Sequence, residues 1–94
     1  MREITGADLK ISGMVQGVGY RYYCYRRAVN LQLTGWVKND ADGSVFVLAE
    51  GDRSAVEALI DELKVGPHSA SVNSLSTKWL PSTGQYKSFE VRIR

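Results

Sequence analysis

The order in which hydrophobic periodicity changes along the chain is the sequence feature that most restricts its fold. Alternation of polar and apolar residues with period two indicates a first β-strand over residues 7–14. The side chains that recur at helical spacing after it are Tyr22, Tyr25, Val29 and Leu33. Their spacing predicts a first helix over residues 21–33, with these side chains towards the core and Gly35 as its stop signal.

The second half of the chain repeats this order. Residues 40–43, Asp-Ala-Asp-Gly, have the composition of a hairpin turn between two strands. Ser54 and Glu57 match a capping box, and the amphipathic stripe that follows predicts a second helix over residues 54–65. Further strand patterns begin at residue 36 and cover residues 44–50, 74–79 and 89–94. The last two strands flank a turn at residues 81–84.

The order of these elements defines the expected fold class. The first six elements, a strand, a helix, two strands, a helix and a strand, form a split βαβ arrangement, and the last strand follows them. We therefore predict an α+β fold, a ferredoxin-like βαββαβ sandwich in which an antiparallel sheet carries two helices on one face. The chain has 94 residues and 44% hydrophobic content, which suits one hydrophobic core. We expect a single domain over residues 1–94, with its core from about residue 7, that acts as a monomer.

Charge and cysteine content argue against several classes of function. The formal net charge of +2 is too small for a nucleic-acid or membrane-binding surface. A single cysteine, Cys24, allows no intrachain disulfide and no four-ligand zinc site built from cysteines and histidines. Residues 1–9 carry charges and lack the apolar run of a signal peptide or membrane helix. We expect a cytoplasmic protein without nucleic-acid or membrane partners and without a metal or other cofactor.

One loop has the composition of a phosphate-binding site. Residues 13–21 read Gly-Met-Val-Gln-Gly-Val-Gly-Tyr-Arg and lie between the first strand and the first helix. Such a loop can point backbone N–H groups at a phosphate, and the planar guanidinium of Arg21 can donate to two phosphate oxygens. The same glycines also fit a tight turn followed by a solvated arginine, and the Gly-Lys-Ser/Thr end of a Walker loop is missing. The loop alone leaves both interpretations open.

Two separate motifs together resemble one known family. Residues 15–21 closely resemble the phosphate loop of acylphosphatases, whose usual form has Phe at position 20. Residues 35–39, Gly-Trp-Val-Lys-Asn, followed by Asp-Gly-Ser-Val at 42–45, are similar to the second signature of that family. The resemblance covers residues 7–94. It departs from the family pattern at Tyr20, which could add a hydroxyl group near the loop.

The resemblance implies an activity and the residues that perform it. Members of this family hydrolyse the carboxyl–phosphate bond of an acyl phosphate, and inorganic phosphate is their product and inhibitor. Arg21 would bind the phosphate and Asn39 would position the attacking water, as the two catalytic residues. The implied phosphate-binding residues are Val15, Gln16, Gly17, Val18, Gly19, Tyr20 and Arg21. The terminal carboxylate of Arg94 would hold Arg21 in place.

The chemistry of this reaction needs few protein groups. A carboxylate whose conjugate acid has a pKa of about 4 leaves without help from a general acid. A loose phosphoryl-transfer transition state needs in-line positioning and donors to the equatorial oxygens, which backbone N–H groups and an arginine supply. Asn39 cannot act as a base, and an asparagine before Asp-Ala-Asp-Gly also fits ordinary turn chemistry.

Two alternatives remain open at this point. One is a non-enzymatic module of the same fold that binds RNA or a small anion, although the RNP aromatic signature is missing. The other is a module cut from a larger protein that handles carbamoyl phosphate. His68 and Cys24 receive no role. The family often has a second proline at the position of His68. A lone loop histidine is most often solvated, and no sequence neighbour of Cys24 stabilises a thiolate.

Overall fold

The secondary-structure elements follow the predicted order. The computed structural model describes residues 3–93. Its elements are β1 (Ile4–Met14), α1 (Tyr20–Asn30), β2 (Thr34–Asn39), β3 (Val45–Asp52), α2 (Arg53–Val65), β4 (Ser71–Leu80) and β5 (Phe89–Arg92). β1 begins earlier than residue 7, where the sequence pattern starts, because Ile4 and Thr5 pair with the last residues of β3.

The strands form one mixed sheet in the order β4-β1-β3-β2-β5. Neighbouring strands are antiparallel except β2 and β5, which are parallel. The predicted α+β fold is confirmed, but the sheet is mixed and not wholly antiparallel, because the chain crosses from one edge of the sheet to the other between β4 and β5. The turn at residues 81–84 therefore begins a crossing and does not close a hairpin. The crossing brings residues 89–92 beside residues 35–38.

Both helices pack against one face of the sheet in a single core. The buried strand residues on this face include Ala7, Leu9, Ile11, Val37, Val45, Val47 and Ala49. α2 buries the stripe that the sequence predicts, Val56, Leu59, Ile60 and Leu63. α1 instead buries Tyr20, Cys24 and Ala28. The predicted core stripe is therefore wrong at Tyr22 and Val29, which are 61% and 46% exposed, whereas Leu33 is buried and Tyr25 packs partly buried against the core.

α1 ends before the predicted stop signal. Gln32 adopts the left-handed conformation with φ 60°. Its N–H donates to the carbonyl oxygen of Val29, and the N–H of Leu33 donates to that of Ala28, which together make a Schellman motif. Gly35 lies inside β2 and does not end the helix.

α2 begins with a different cap from the one predicted. The carboxylate of Asp52 accepts hydrogen bonds from the backbone N–H and the hydroxyl of Ser54, at 3.1 Å and 3.0 Å. Asp52 is therefore the N-cap residue, which satisfies an N–H group that the first turn would leave unpaired. The predicted capping box does not form, and Glu57 makes an ion pair with Arg53 at 3.7 Å.

Candidate active site

A cleft lies where the β1–α1 loop meets the end of β2. Its volume of about 340 Å³ is near the lower end of the range for small-molecule sites, about 300–1,000 Å³. The loop and the start of α1 contribute Val15, Gly17, Gly19, Tyr20 and Arg21 to its walls. The remaining wall residues are Tyr22, Asn39 and Val91. Arg21 and Asn39, which come from two separate motifs, thus lie at one cleft.

Glycines give the loop a backbone shape suited to an anion. Gly17 and Gly19 have φ of 74° and 77°, a region that residues with a side chain rarely adopt. A Cβ at either position would meet no atom within 4 Å, so the backbone conformation, and not lack of space, favours glycine. Gly19 is the N-cap residue of α1, and its helix has no side-chain cap. The first N–H groups of α1 are therefore open to an anion, which the helix dipole also attracts.

Two side chains fix the loop to its surroundings. Gln16 Nε2 donates to the carbonyl oxygens of Asp40 and Ser44, at 2.7 Å and 2.8 Å. Ser69 Oγ donates to the carbonyl oxygen of Val18 at 3.3 Å. Of the predicted phosphate-binding residues, Gln16 and Val18 do not line the cleft. The side chain of Gln16 joins the loop to the β2–β3 hairpin, so only its backbone is left for a phosphate.

The backbone of β5 holds Arg21. Arg21 Nη1 donates to the carbonyl oxygen of Arg92 at 2.9 Å, and the side chain is half-buried. A guanidinium carries several N–H donors in a planar fork, so this bond leaves others for a phosphate. The predicted support from the carboxylate of Arg94 lies outside the described residues 3–93.

Asn39 is the last residue of β2 and precedes the predicted hairpin turn. The turn closes through the Asp40 N–H and the Ser44 carbonyl at 2.9 Å, and the Gly43 N–H and the Asp40 carbonyl at 3.2 Å. Asn39 Oδ1 is buried and has no hydrogen-bond partner within residues 3–93. An unpaired buried acceptor costs about 1–3 kcal/mol, so this amide gains free energy when a small donor binds it. Turn chemistry alone gives no reason for this unpaired oxygen.

The hydroxyl of Tyr20 does not lie where the sequence suggested. Tyr20 is 1% exposed, and its hydroxyl donates to the carbonyl oxygen of Leu63 at 2.7 Å. Burial, together with the neighbouring Cys24 and Tyr23, raises the pKa of Tyr20, so the hydroxyl remains a donor. The expectation of a free hydroxyl near the loop is therefore wrong, because this group stabilises the end of α2.

The two residues that the sequence set aside lie away from the chemistry. Cys24 is fully buried, and burial raises the pKa of its thiol. His68 is exposed in a turn after α2. Residues 3–93 contain no group of three or more His, Cys, Asp or Glu side chains placed to hold a metal ion. Within the same residues, no helix is long and apolar enough to cross a membrane.

Sequence reasoning missed two residues of the cleft wall and the residue that anchors Arg21. Tyr22 was assigned to the core, although its position next to Arg21 in the first turn of α1 is a signal for the cleft. No role at the site was predicted for Val91 or Arg92. They reach the cleft only because β5 pairs with β2, where Val91 lies opposite Val37.

Known proteins with similar sequences and structures identify the family. The acylphosphatase family model matches residues 7–91. The chain belongs to the acylphosphatase family. An acylphosphatase of Caldanaerobacter subterraneus subsp. tengcongensis is 46% identical over 88% of this chain and 92% of its own length. The crystal structure of acylphosphatase from Bacillus subtilis has a TM-score of 0.91 at 33% identity, and the match covers 94% of this chain and 98% of that chain.

A larger protein contains a similar unit. The crystal structure of T. kodakarensis HypF has a TM-score of 0.82 at 30% identity, over 96% of this chain but 12% of that chain. The family and structural matches support acylphosphatase function, and they make the chain a hydrolase whose substrate is a small-molecule acyl phosphate. The alternative of a non-enzymatic module that binds RNA or a small anion gains no support.

Proposed function

We propose that the chain hydrolyses the carboxyl–phosphate bond of an acyl phosphate with a backbone phosphate cradle, Arg21 and Asn39. The cradle consists of residues 15–21. The observation that carries the proposal is that Arg21 and Asn39, from different elements, line one cleft at a helix N-terminus without a side-chain cap. This arrangement offers donors to a phosphate from the loop backbone and from Arg21, and no titrating group is required for the leaving carboxylate.

The phosphoryl group lies against the backbone N–H groups of the cradle and the guanidinium of Arg21. These donors stabilise the negative charge on the equatorial oxygens as the bond from phosphorus to the acyl oxygen lengthens. The hydrogen bond from Arg21 to the Arg92 carbonyl fixes the guanidinium before substrate arrives, so little reorganisation is needed. The acyl group departs as a carboxylate, with the electron pair of the broken bond.

The amide of Asn39 orients the attacking water. Its unpaired Oδ1 accepts a hydrogen bond from that water once the amide turns towards the cleft. The water forms the new bond to phosphorus, and its proton passes to a phosphate oxygen, because Asn39 cannot take it. The products are a carboxylate and inorganic phosphate, which balance the substrate and one water.

Phosphate release from acetyl, benzoyl and carbamoyl phosphate tests the proposal. We expect the parent to turn over at least one of them. Arg21→Lys keeps the positive charge but loses the planar fork, and we expect kcat/KM to fall about 100-fold or more. Asn39→Ala should lower kcat more than it weakens phosphate binding, since the amide holds water and not the bound phosphate.

Two variants are controls for this experiment. His68→Asn and Cys24→Ala change groups outside the cleft, and we expect both to keep the turnover of the parent when circular dichroism shows that they are folded. Near-normal turnover of Arg21→Lys would reject Arg21 as the main phosphate ligand. A large loss in a folded control variant would show that the cradle, Arg21 and Asn39 are not sufficient.

Inorganic phosphate provides a second test of the cradle. As the product, it should inhibit competitively and raise the free energy of unfolding by about 1.4 kcal/mol at ten times its dissociation constant. Thermal unfolding with and without phosphate measures this effect, and Arg21→Lys should weaken it. The absence of any shift at high phosphate contradicts a phosphate site in this loop.

We also propose that residues 1–94 act as one cytoplasmic, monomeric domain without a metal or other cofactor. The Cα radius of gyration of 12.1 Å supports one compact unit, since a folded chain of about 100 residues has a value of about 13 Å. Sedimentation equilibrium at assay concentration tests the monomer. Chelators should leave turnover unchanged, and a loss that added metal restores would contradict the metal-free mechanism.

A further inference from the structure

The cleft has room for more than a phosphate group. A water molecule occupies about 30 Å³ in the liquid, and a phosphate group with its few heavy atoms needs only a few times that volume. The cleft measures about 340 Å³. The part of its wall that belongs neither to the cradle nor to the catalytic pair consists of Tyr22 and Val91. They offer an aromatic ring and an aliphatic side chain, and they are 61% and 43% exposed.

The ring of Tyr22 is supported by its helix neighbours. It stacks on Tyr25 with ring centroids 6.1 Å apart and an interplanar angle of 22°. The guanidinium carbon of Arg26 lies 5.9 Å from the centroid of the Tyr22 ring. Because both neighbours belong to α1, the ring offers a surface that is ordered without a ligand. A preformed surface of this kind loses little entropy when a ligand contacts it.

The position of Val91 follows from the parallel pairing of β5 with β2. Val91 lies opposite Val37, which is fully buried, so its side chain continues the row of apolar residues on the helix-covered face of the sheet. Phe89, two residues earlier on the same face, is buried in the core. Val91 thus lies where this apolar row emerges from the core into the cleft.

The charge of the cleft favours an uncharged acyl group. Among the described residues that line it, Arg21 is the only charged one. In the proposed mechanism, the phosphate takes the N–H donors of Arg21 that the bond to Arg92 leaves free. An acyl group with a second carboxylate would then lie against Tyr22 and Val91 at a desolvation cost, because Arg26 contacts the Tyr22 ring but does not line the cleft.

We propose that Tyr22 and Val91 form a subsite that favours substrates with an aryl or bulky apolar acyl group. The inference rests on the proposed function, because it places the phosphoryl group in the cradle. The acyl group makes the same apolar contact before and during phosphoryl transfer. Loss of this contact should therefore raise KM and leave kcat nearly unchanged.

Benzoyl phosphate and acetyl phosphate, assayed in parallel, test the subsite. For Tyr22→Ala we expect kcat/KM to fall about tenfold with benzoyl phosphate, through KM, and to change little with acetyl phosphate. Val91→Ala should also lower kcat/KM with benzoyl phosphate and not with acetyl phosphate, but by a smaller factor. Comparing the ratio of the two substrates between parent and variant cancels their different intrinsic reactivity.

Matched variants separate the subsite from general effects. Tyr22→Phe keeps the ring and should retain the benzoyl preference of the parent. Val29→Ala removes the same atoms as Val91→Ala from an exposed position on α1 outside the cleft, and it should change neither substrate. A succinyl phosphate arm should show poorer turnover than benzoyl phosphate in the parent.

The outcomes distinguish this inference from the proposed function. A parent that turns over acyl phosphates, with a benzoyl-to-acetyl ratio that Tyr22→Ala leaves intact, overturns the subsite alone. A preference of the parent for succinyl phosphate over benzoyl phosphate overturns it as well. A parent that turns over no acyl phosphate overturns the proposed function, and with it the subsite.

Discussion

Two tyrosines on either side of Arg21 have opposite environments. Both contribute to the cleft wall, but Tyr20 is 1% exposed with its hydroxyl bonded to α2, whereas Tyr22 is 61% exposed. The helical spacing in the sequence was real, but Tyr25 and Val29 lie one position after the residues that are actually buried. The true buried stripe contains Cys24 and Ala28, which are small and give a weak hydrophobic signal. The larger tyrosines and valine dominated the pattern, so sequence could predict the helix and its arginine but not which face was buried.

Replacing Tyr20 with phenylalanine tests the assignment of its hydroxyl. The variant leaves the carbonyl oxygen of Leu63 without its donor, and we expect the free energy of unfolding to fall by about 1 kcal/mol. The acetyl phosphate KM should stay at the parent value, because the hydroxyl does not face the cradle. Urea denaturation and steady-state kinetics measure the two effects. An altered KM with unchanged stability would indicate that the hydroxyl acts at the phosphate loop and not at Leu63.

The elements were predicted better than their ends. Both motifs of the site fell on the expected strand–helix loop and strand end, because periodicity and turn composition are local properties. The end of α1 was missed since Gln32, and not a glycine, takes the left-handed conformation. The glycine used as its stop signal, Gly35, has another reason to be there. A Cβ at that position would lie 1.8 Å from the carbonyl oxygen of Leu48 on the neighbouring strand.

The Schellman motif at the end of α1 predicts a stabilising substitution. The left-handed conformation costs free energy for a residue with a side chain but not for glycine. We expect Gln32→Gly to raise the free energy of unfolding by about 0.5–1 kcal/mol, after its larger loss of chain entropy is subtracted. The midpoint of urea denaturation at constant slope measures the gain. Gln32→Ala, the control, retains the strained conformation, and an equal gain in that variant would contradict the explanation.

Contacts between distant segments could not be predicted from the sequence. The hydrogen bond from Arg21 to Arg92 depends on the parallel pairing of β2 and β5, and no sequence motif predicts this bond. The same is true of Glu50, whose carboxylate accepts bonds from the segment that crosses the sheet. Its donors are Ser82 Oγ, the Thr83 N–H and hydroxyl, and the Gly84 N–H, at 2.9–3.3 Å. A motif can place residues on an element, but only the whole topology shows which elements meet.

Glu50 makes the stability of the molecule depend on pH. Burial alone would raise the pKa of its carboxyl, but the hydrogen bonds from Thr83, Gly84 and Ser82 outweigh burial and lower it. A lowered pKa in the folded state contributes stability above the ordinary glutamate value of about 4.3, and this stability is lost as the pH falls through the folded value.

Glu50→Gln should therefore be less stable than the parent by about 1–3 kcal/mol near neutral pH. The difference should shrink as the pH falls below about 4, because the parent carboxylate then becomes protonated. Urea denaturation of both proteins across this range measures it. Glu57→Gln, at an exposed position on α2, is the control and should show little difference. A Glu50→Gln difference that is independent of pH would mean that the charge of the carboxylate is irrelevant.

The anchor of Arg21 is a main-chain atom, and this determines which sequence changes near Arg92 the site tolerates. Any amino acid at position 92 supplies the same carbonyl oxygen, so the anchor places no demand on the identity of that residue. It does place a demand on spacing. An insertion or deletion between residue 81 and Arg92 that moved β5 by one position would offer a different carbonyl and turn Val91 to the opposite face of the sheet. The cleft therefore tolerates amino-acid substitutions in this strand far better than insertions or deletions.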